Sequence, residues 1–595
     1  MSRPKTAQEL VHWLEVGAGA RWIVLGATLA VTAVLSLQVS WVQFHGPASE
    51  STLLQADTAR QLATGQGFTT LVNYPQTAAF LRHRGVPFDA KRPYPELHHA
   101  PLYSIVIAGP LAILPAAWRN ALFDRAPAPP NGFGADYYLL ALNVILLWLA
   151  AGLTFALARR LFDVRTAWVS ALALLVSVAA WQQTVAVNGT TLLMVLALVF
   201  FLILARIDRD DATLTAPGRG WFLLLGGVGG LLFLTEYSAG ALSLVALADL
   251  ARRWEGRVRR VAIALLVVGF VAVSGPWIAR NLILTGHPTA LAAQNVALKA
   301  GDSTAEPSNQ RAQLSANLPG VDLNKLGNKT LTSLQENLKA RLWSGGGMWL
   351  TAFFVAGWLY PFRSASTNRL RWTFTAALAV MLLTQAVFNS GESERLAAYW
   401  LAPLIMVFGA GFFFVLLGSN AKLGPWPRLC ATALLVAQAL PLAHDALEPR
   451  RLHFNYPPYF PGLFIGMRRE LERREAGRFG LMADVPAGVA WYGGGRVWAQ
   501  PVKMRDFYAV TLEQPIGQLL LTPRTLDRPF FTELASRPDA PGSLQQSNRF
   551  GDWGLVYGGL FTGKFPAEFP LSVPQRLAEN LYVMLNPALP PVRGK

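Results

Sequence analysis

Long apolar segments recur along this chain of 595 residues and limit the folds that are open to it. A run of about 20 apolar residues can cross a lipid bilayer as a helix. Charged residues make up only 15% of the chain, whereas a soluble chain usually carries about 25%. The sequence therefore predicts an α-helical polytopic membrane protein with about eleven spans. They lie at residues 21–42, 136–158, 165–183, 189–206, 220–236, 237–251, 260–279, 345–361, 370–389, 396–418 and 426–444.

The distribution of arginine and lysine predicts how these spans are oriented. The formal net charge is +17, and most basic residues of the short loops fall on one side if the apolar segment 101–116 does not cross. Because cytoplasmic loops collect lysine and arginine, this bias places the N-terminus in the cytoplasm and the C-terminus outside a cytoplasmic (inner) membrane. It also explains the positive charge without nucleic acid as a partner. We therefore predict that segment 101–116 is a re-entrant or interfacial helix.

The apolar stretch 220–251 is too long for a single crossing, since about 20 residues suffice. Glu236 lies near its middle. Two short helices that meet outside the membrane, between Thr235 and Ser238, fit this stretch better than one long helix. This arrangement places Glu236 at the outer surface.

Two long loops and the C-terminal region lie outside the apolar segments. We predict a transmembrane domain at residues 1–445, which includes an outer loop at 43–135 and a second outer loop at 280–344. The remaining residues, 446–595, are predicted to form a small extracytoplasmic α/β domain.

Several local elements are predicted in these regions. Leucines at helical spacing, from Leu331 to Leu342, indicate an amphipathic helix lying on the membrane surface. In the C-terminal region we expect a helix at 463–474 and strands at 479–483, 488–492 and 519–521.

The start of the first outer loop carries two carboxylates at helical spacing. Glu50 and Asp57 are seven residues apart, so they lie on roughly one face if residues 50–63 form a helix. Ser51 or Thr52 is a suitable N-cap for that helix. A carboxylate at a water–membrane boundary is suited to act as a general base on an acceptor hydroxyl. The competing interpretation is an ordinary solvated helix in a polar loop.

The end of the same loop carries two adjacent histidines, His98 and His99. Neighbouring side chains on a helix point about 100° apart, so we expect only one imidazole to face a site. Arg92 and Tyr94 precede them, and we assign all four residues to substrate binding. No metal-ligand spacing of known type is present. The sequence predicts no certain cofactor, and a divalent metal held by a carboxylate and a histidine stays open.

Two arginines from distant parts of the chain are predicted to reach the same outer level. Arg280 ends one span and Arg395 begins another. Arginine suits bidentate phosphate binding, and with the basic residues of the first loop these two would form a cationic ring for an anionic lipid-linked substrate. Snorkelling to the lipid surface is the competing explanation for each arginine alone.

Taken in order, these motifs resemble the GT-C superfamily of membrane glycosyltransferases, in the branch of protein O-mannosyltransferases and aminoarabinose transferases. That family begins its first outer loop with an Asp-Glu pair and continues with a helix ending in Leu-x-x-Gly. Here Glu50-Ser51 stands at the acidic pair, so the second acid is lost, and Leu62 to Gly65 ends the helix. Further motifs are His99-Ala100-Pro101-Leu102, Pro276 to Asn281, 395–403 and the 479–501 opening of the C-terminal domain.

The resemblance implies transfer of a monosaccharide from a polyprenyl-phosphate donor to an acceptor lipid, glycan or protein at the outer face, by an inverting displacement. Glu50, with Asp57, would remove the acceptor proton, while Arg280 and Arg395 would stabilise the departing lipid phosphate. Membrane lipids would surround the spans. A transporter or flippase, which needs ionisable residues at mid-membrane, and a non-catalytic envelope-assembly scaffold are the alternatives.

Overall fold

The computed structural model describes most of the chain. The described residues are 18–86, 92–124, 132–208, 218–299, 307–388, 395–418, 426–450, 453–474, 478–525, 551–566 and 569–591. The predicted cytoplasmic N-terminal tail and Lys91, part of the predicted cationic ring, lie outside them.

The first loop folds into short helices and strands beyond the first long helix. In chain order these elements are α1 Ala18–Gln43, α2 Glu50–Ala63, β1 Thr69–Thr70, β2 Val72–Asn73, α3 Pro75–His83, β3 Tyr94–Pro95, α4 Leu102–Ile113 and α5 Ala116–Asp124. Helices α4 and α5 meet at an angle of 118°. A bend of this size fits a re-entrant helix, as the loop charges predict for segment 101–116.

The helical bundle follows. Its elements are α6 Gly134–Leu161, α7 Val164–Leu175, α8 Val178–Val185, α9 Thr190–Ile207, α10 Arg219–Thr235, α11 Leu242–Arg253, α12 Gly256–Thr285, α13 Pro307–Arg311, α14 Leu323–Glu336, α15 Leu342–Gly346, α16 Met348–Ala356, α17 Ala365–Phe388, α18 Ala397–Trp400, α19 Ala402–Gly418 and α20 Trp426–Leu447. Each of the predicted spans contains a helix of this set or α1.

These helices make the chain a multi-pass membrane protein. Among the described residues, six helices are long and apolar enough to cross a membrane, and α7 with α8 forms a bent pair that passes the same test together. Shorter apolar helices occupy 219–235, 348–359 and 402–418. Apolar side chains such as Leu37 and Ile283 point outward, with 73% and 74% of their surfaces exposed, as helices that contact lipid tails require.

The break that the sequence predicts in the stretch 220–251 is confirmed. Helix α10 ends at Thr235, Glu236 has an extended backbone, and a short 3-10 turn at 237–241 leads into α11. The predicted amphipathic helix is also present as α14, which continues through a π-turn into α15. Leu331 and Leu338 are 67% and 52% exposed, so an apolar stripe of this helix faces outward.

The C-terminal region adds four helices and five strands. They are α21 Pro461–Arg473, β4 Gly480–Ala483, α22 Pro486–Gly488, β5 Val497–Ala499, α23 Met504–Glu513, β6 Ile516–Leu521, α24 Gly551–Thr562, β7 Val573–Ala578 and β8 Leu581–Leu585. The helix predicted at 463–474 and the strands predicted at 479–483 and 519–521 are confirmed within one to three residues.

The strand predicted at 488–492 is wrong. Residues 486–493 form one helical turn that passes into a π-turn. Every residue in it is buried, so its apolar run shows no alternation, and periodicity cannot separate a short buried strand from a buried helix. The helical turn lets Trp491 and Tyr492 both donate hydrogen bonds to the carboxylate of Asp136, at 2.8 and 3.0 Å.

A six-stranded sheet joins the C-terminal region to the first loop. Its strand order is β2-β5-β4-β6-β8-β7, with β2, β5, β4 and β6 parallel and β8 and β7 antiparallel. Strand β2 belongs to the first loop, and Val72 pairs with Val497. The division of the chain at residue 446 stays a prediction, and the sheet spans that boundary. We call the end of the bundle that carries this sheet the sheet end.

Candidate functional site

A cavity opens at the sheet end, where the N-terminus of α2 meets the bundle. Helix α2 begins at Glu50 because Ser49 caps it: the Ser49 side chain accepts a hydrogen bond from the backbone N–H of Thr52 at 3.3 Å. The cap is therefore two residues before Ser51, the nearer of the two predicted caps. The described residues that line the cavity are Ser49, Ser51, Thr52, Gln55, His98, His99, Ala100, Asn188, Glu236, Tyr237, Ala292, Asn295, Arg311 and Arg395.

Ser51, His99 and Glu96 form a continuous chain of hydrogen bonds on one wall. The Ser51 Oγ lies 2.8 Å from His99 Nε2, and His99 Nδ1 lies 2.6 Å from Glu96 Oε1. An ionised carboxylate only accepts hydrogen bonds, so the Nδ1 nitrogen carries the imidazole proton. In the neutral imidazole, Nε2 then holds the free lone pair and accepts from the Ser51 hydroxyl. The arrangement orients His99 as a base toward the cavity.

The environment of Glu96 keeps it ionised. Its side chain is 1% exposed, and burial by itself would raise its pKa. The hydrogen bond to His99, the nearby imidazoles of His99 and His98 and the backbone N–H of His98 outweigh burial, so the pKa of Glu96 is lowered to about 2. Both carboxylate oxygens accept from the His98 N–H, at 3.1 and 3.2 Å.

Arg280 supports Glu96 from behind. Its guanidinium donates to the backbone carbonyl of Glu96 at 3.1 Å and stacks over the rings of Trp277 and Phe68, at 4.3 and 5.5 Å. Arg280 does not belong to the described residues that line the cavity. Arg280, which is predicted to bind phosphate, therefore holds the backbone of Glu96, the carboxylate that bonds to His99.

The same cavity is lined by two buried arginines, Arg311 and Arg395, which are 4% and 6% exposed. Arg395 donates to the carbonyls of Asn188 and Thr235 and to the Gln55 side chain, the last at 2.6 Å. Its guanidinium is also 3.7 Å from Glu236. Two buried cations in one cavity favour an anionic ligand.

Sequence patterns do not predict Arg311 as a residue of the cavity. It ends the short helix α13 in the second outer loop, and its guanidinium lies 5.7 Å from the Tyr74 ring. No local pattern marks it, because the loop around it is polar and its burial arises from packing against the first loop. Glu236, which is predicted to lie at the outer surface, contributes to the cavity wall. The predicted break between α10 and α11 is the sequence feature that could have indicated a role for Glu236.

His98 and His99 both line the cavity, so the prediction that only one imidazole faces the site is wrong; the two residues lie in a bend and not in a helix. The Nε2 of His98 lies 3.0 Å from the Thr77 hydroxyl, and the side chain is buried. Burial and the charge of Arg311 lower the pKa of His98 to about 3, so this imidazole is neutral. Its Nδ1 has no hydrogen-bond partner among the described residues, and the side chain borders the cavity.

The two carboxylates predicted as catalytic lie outside this set of lining residues. Glu50 accepts from Tyr74 at 2.8 Å and from Tyr456 at 3.0 Å, with Arg524 at 3.4 Å. Asp57 is fully buried and accepts from the Thr70 hydroxyl and the Leu71 N–H, at 2.7 and 2.8 Å.

Asp57 therefore has the surroundings of a structural carboxylate, and burial raises its pKa. Of the remaining predicted substrate residues, Arg92 is exposed. Tyr94 pairs with Thr70 in the two-stranded sheet and packs on Trp498, with ring centroids 6.4 Å apart. Neither belongs to the described lining of the cavity. Among the described residues, no group of three or more His, Cys, Asp or Glu side chains is placed to hold a metal ion.

A second groove adjoins the cavity among helix ends. Glu236, Tyr237, Ala292 and Asn295 line both. The groove extends past residues of α17 and the start of the next span, namely Gln385, Phe388 and Leu396. A polar cavity thus adjoins a groove with a more apolar lining.

The bundle, the sheet end and the cavity define a multi-pass membrane protein with a GT-C-like fold. The oligosaccharyltransferase of Archaeoglobus fulgidus, solved with Zn and sulfate, superposes with a TM-score of 0.50 and 12% identity, over 84% of this chain and 68% of that chain. ArnT from Cupriavidus metallidurans, solved with undecaprenyl phosphate, superposes with a TM-score of 0.50 and 14% identity, over 85% of this chain and 94% of that chain.

Both solved structures are GT-C glycosyltransferases, so the fold that the sequence motifs suggested is confirmed. The comparison of sequences alone matches the chain to no protein-family model and to no curated protein.

Proposed function

We propose that this chain is a glycosyltransferase that moves a monosaccharide from a polyprenyl-phosphate donor to an acceptor at the outer face of the cytoplasmic membrane. The observation that carries the proposal is one cavity lined by an oriented base, His99, and by two buried arginines. The GT-C-like fold supports it, because ArnT in that fold is solved with undecaprenyl phosphate.

Arg311 and Arg395 are proposed to hold the donor phosphate. Preorganised cations stabilise the charge that develops on a departing phosphate, and they act more strongly where water is excluded. Arg395 is already fixed by Asn188, Thr235 and Gln55, so little reorganisation is needed when the phosphate leaves. The groove beyond Glu236 offers a path for the polyprenyl chain toward the lipid.

His99 is proposed to remove the proton from the acceptor hydroxyl. The acceptor hydroxyl would take the place of the Ser51 hydroxyl at Nε2, and Glu96 would stabilise the resulting imidazolium. The acceptor oxygen then bonds to the anomeric carbon as the bond to the lipid phosphate breaks, which inverts that carbon. Glu50, the base expected from the family motif, is the alternative, and its carboxylate is engaged by Tyr74, Tyr456 and Arg524.

Substitution of each proposed base tests this assignment. A general base contributes about 10²- to 10⁴-fold to a rate, so His99→Gln is expected to lower transfer from a labelled polyprenyl-phosphate sugar by that factor. Glu50→Gln is expected to keep most of the rate. The exposed His453 gives a matched His→Gln control. The donor for this assay is identified first, by mass spectrometry of envelope glycans and glycoproteins from cells with and without the protein.

The pattern of rates decides between the assignments. A large loss in Glu50→Gln with full activity in His99→Gln would move the base to Glu50. Unchanged envelope glycans together with no transfer from any polyprenyl-phosphate sugar would refute the glycosyltransferase proposal itself.

A further inference from the structure

The Ser51 hydroxyl has the surroundings of a nucleophile as well as those of a hydrogen-bond donor. It lies 2.8 Å from the basic nitrogen of His99, and His99 is in turn oriented by a buried carboxylate at 2.6 Å. This order of hydroxyl, imidazole and acid activates serine in hydrolases of unrelated folds, where it is recognised by geometry and not by sequence position. Ser51 and His99 both line the cavity, so a substrate can reach them.

We propose that Ser51 is an acyl-accepting nucleophile, with His99 as its base and Glu96 as the positioning residue. This second activity, the transfer or hydrolysis of a carboxylic ester, goes beyond the proposed glycosyl transfer and does not depend on it. The substrate class is an ester whose carrier also bears a phosphate, because Arg311 and Arg395 lie in the same cavity.

Gln55 supplies a donor where negative charge would develop. Its side-chain amide nitrogen donates to Ser51 Oγ at 3.3 Å, and its carbonyl oxygen accepts from Arg395 at 2.6 Å. The second contact fixes the amide so that its N–H groups point toward Ser51. A fixed amide next to the nucleophile is one form of oxyanion stabilisation in acyl transfer.

In the first step the Ser51 Oγ bonds to the carbonyl carbon of the ester, and its proton passes to His99 Nε2. The carbonyl oxygen carries the negative charge beside Gln55. The bond from carbon to the leaving alkoxide then breaks, and His99 gives its proton to that oxygen, so an alcohol departs and acyl-Ser51 remains.

In the second step a water or an acceptor hydroxyl attacks the acyl carbon. His99 Nε2 takes the proton of the attacking oxygen and returns it to Ser51 Oγ as the acyl–Oγ bond breaks. The products are a carboxylic acid or a new ester, and the serine is regenerated. No oxidant, reductant or further co-reactant is needed.

Two small probes test the proposal on the full-length protein in detergent. A fluorophosphonate should modify Ser51 with loss of fluoride, and p-nitrophenyl acetate should release p-nitrophenolate while leaving an acetyl group on Ser51. Peptide mass spectrometry locates both groups. The rate of modification should fall by about 10²- to 10⁴-fold in His99→Gln, the range of general-base catalysis, and by less in Glu96→Gln. The exposed Ser344 should stay unmodified.

Two variants guard against misfolding as an explanation. Ser51→Ala should lose both modifications and keep its elution volume and melting temperature. Ser51→Cys should lose fluorophosphonate labelling and gain iodoacetamide labelling at residue 51, with dependence on His99. If either probe fails to modify Ser51 above the background measured with Ser51→Ala, the proposal is overturned. Labelled Ser51 without sugar transfer would refute only the glycosyltransferase proposal, and sugar transfer without labelled Ser51 would refute only this one.

Discussion

Neighbouring residues at the start of one helix have opposite surroundings in this protein. Glu50 turns toward Tyr74, Tyr456 and Arg524, whereas Ser51 turns into the cavity and contacts His99. Successive side chains on a helix differ by about 100°, so the sequence position of a motif does not determine which of two neighbours meets the substrate. The family motif indicates a helix turn that borders the cavity, and the packing of that turn decides which of its residues lines the cavity.

The buried His98 gives a test at this scale. Burial and Arg311 lower its pKa from 6.5 to about 3. Between these two values, His98 is protonated in the unfolded chain and neutral in the folded chain. The free energy of unfolding should therefore fall with decreasing pH, by about 1.4 kcal/mol per unit. His98→Gln should flatten this dependence between pH 6.5 and 5, measured by thermal melts in detergent.

Two charged groups near His98 do not change their charge between pH 6.5 and 5. Arg311 stays charged throughout, and Glu96, with a pKa of about 2, stays ionised over this range. Substitution of the exposed His444 to glutamine serves as the control. Equal slopes for His98→Gln and the unsubstituted protein would contradict the expected role of His98.

At the scale of elements, a lysine connects the amphipathic helix to the cavity. Lys329 on α14 donates to the carbonyls of Asn295, Val296 and Leu298, at 2.9, 3.1 and 2.8 Å. These carbonyls belong to the segment that carries the lining residue Asn295. The helix with exposed leucines thus holds one wall of the cavity in place through a single side chain.

Lys329→Met should loosen that wall. Hydrogen bonds to a charged group contribute about 1.5–3 kcal/mol, and a loss of about 2 kcal/mol in local stability corresponds to roughly 30-fold faster amide exchange. Hydrogen–deuterium exchange should show the increase in residues 290–299 and not in the C-terminal sheet. The exposed Lys325 on the same helix provides the Lys→Met control. Unchanged exchange in residues 290–299 would exclude this anchoring role.

At the scale of the whole molecule, the sheet and the bundle are joined through the first loop. Strand β2 completes the sheet at one edge, and Trp491 and Tyr492 hold Asp136 at the start of α6. Residues of the same first loop, such as Ser51 and His99, line the cavity, so the orientation of the sheet fixes the side of the membrane on which the cavity opens. The charge bias of the loops predicts the outer side.

Cysteine labelling in intact cells measures that orientation. In a Cys430→Ala background, a cysteine at Leu512, which is 89% exposed beside the sheet, should react with a membrane-impermeant maleimide. Arg257 is exposed at the N-terminal end of α12, whereas Arg280 lies near its C-terminal end. A cysteine at Arg257 should react only after the cells are opened. The reverse pattern would place the sheet and the cavity in the cytoplasm.

The sequence alone determined the helical bundle, the break at Glu236 and the position of the first loop. The bundle, the break and the loop each follow from hydropathy, charge and helical spacing, which can be read over short stretches of the chain. Only the tertiary structure decided that Arg311 reaches the cavity, that Arg280 supports Glu96, and that residues 488–492 are helical.

The same limit applies to the candidate site. Ser51, Glu96 and His99 all lie in the first loop. Arg311 and Arg395 come from segments that are distant in the chain. Their meeting depends on how loops pack over the bundle, and neither periodicity nor charge pattern records long-range packing. The sequence therefore indicated a loop whose residues line the cavity, while the folded chain selected the residues that share it.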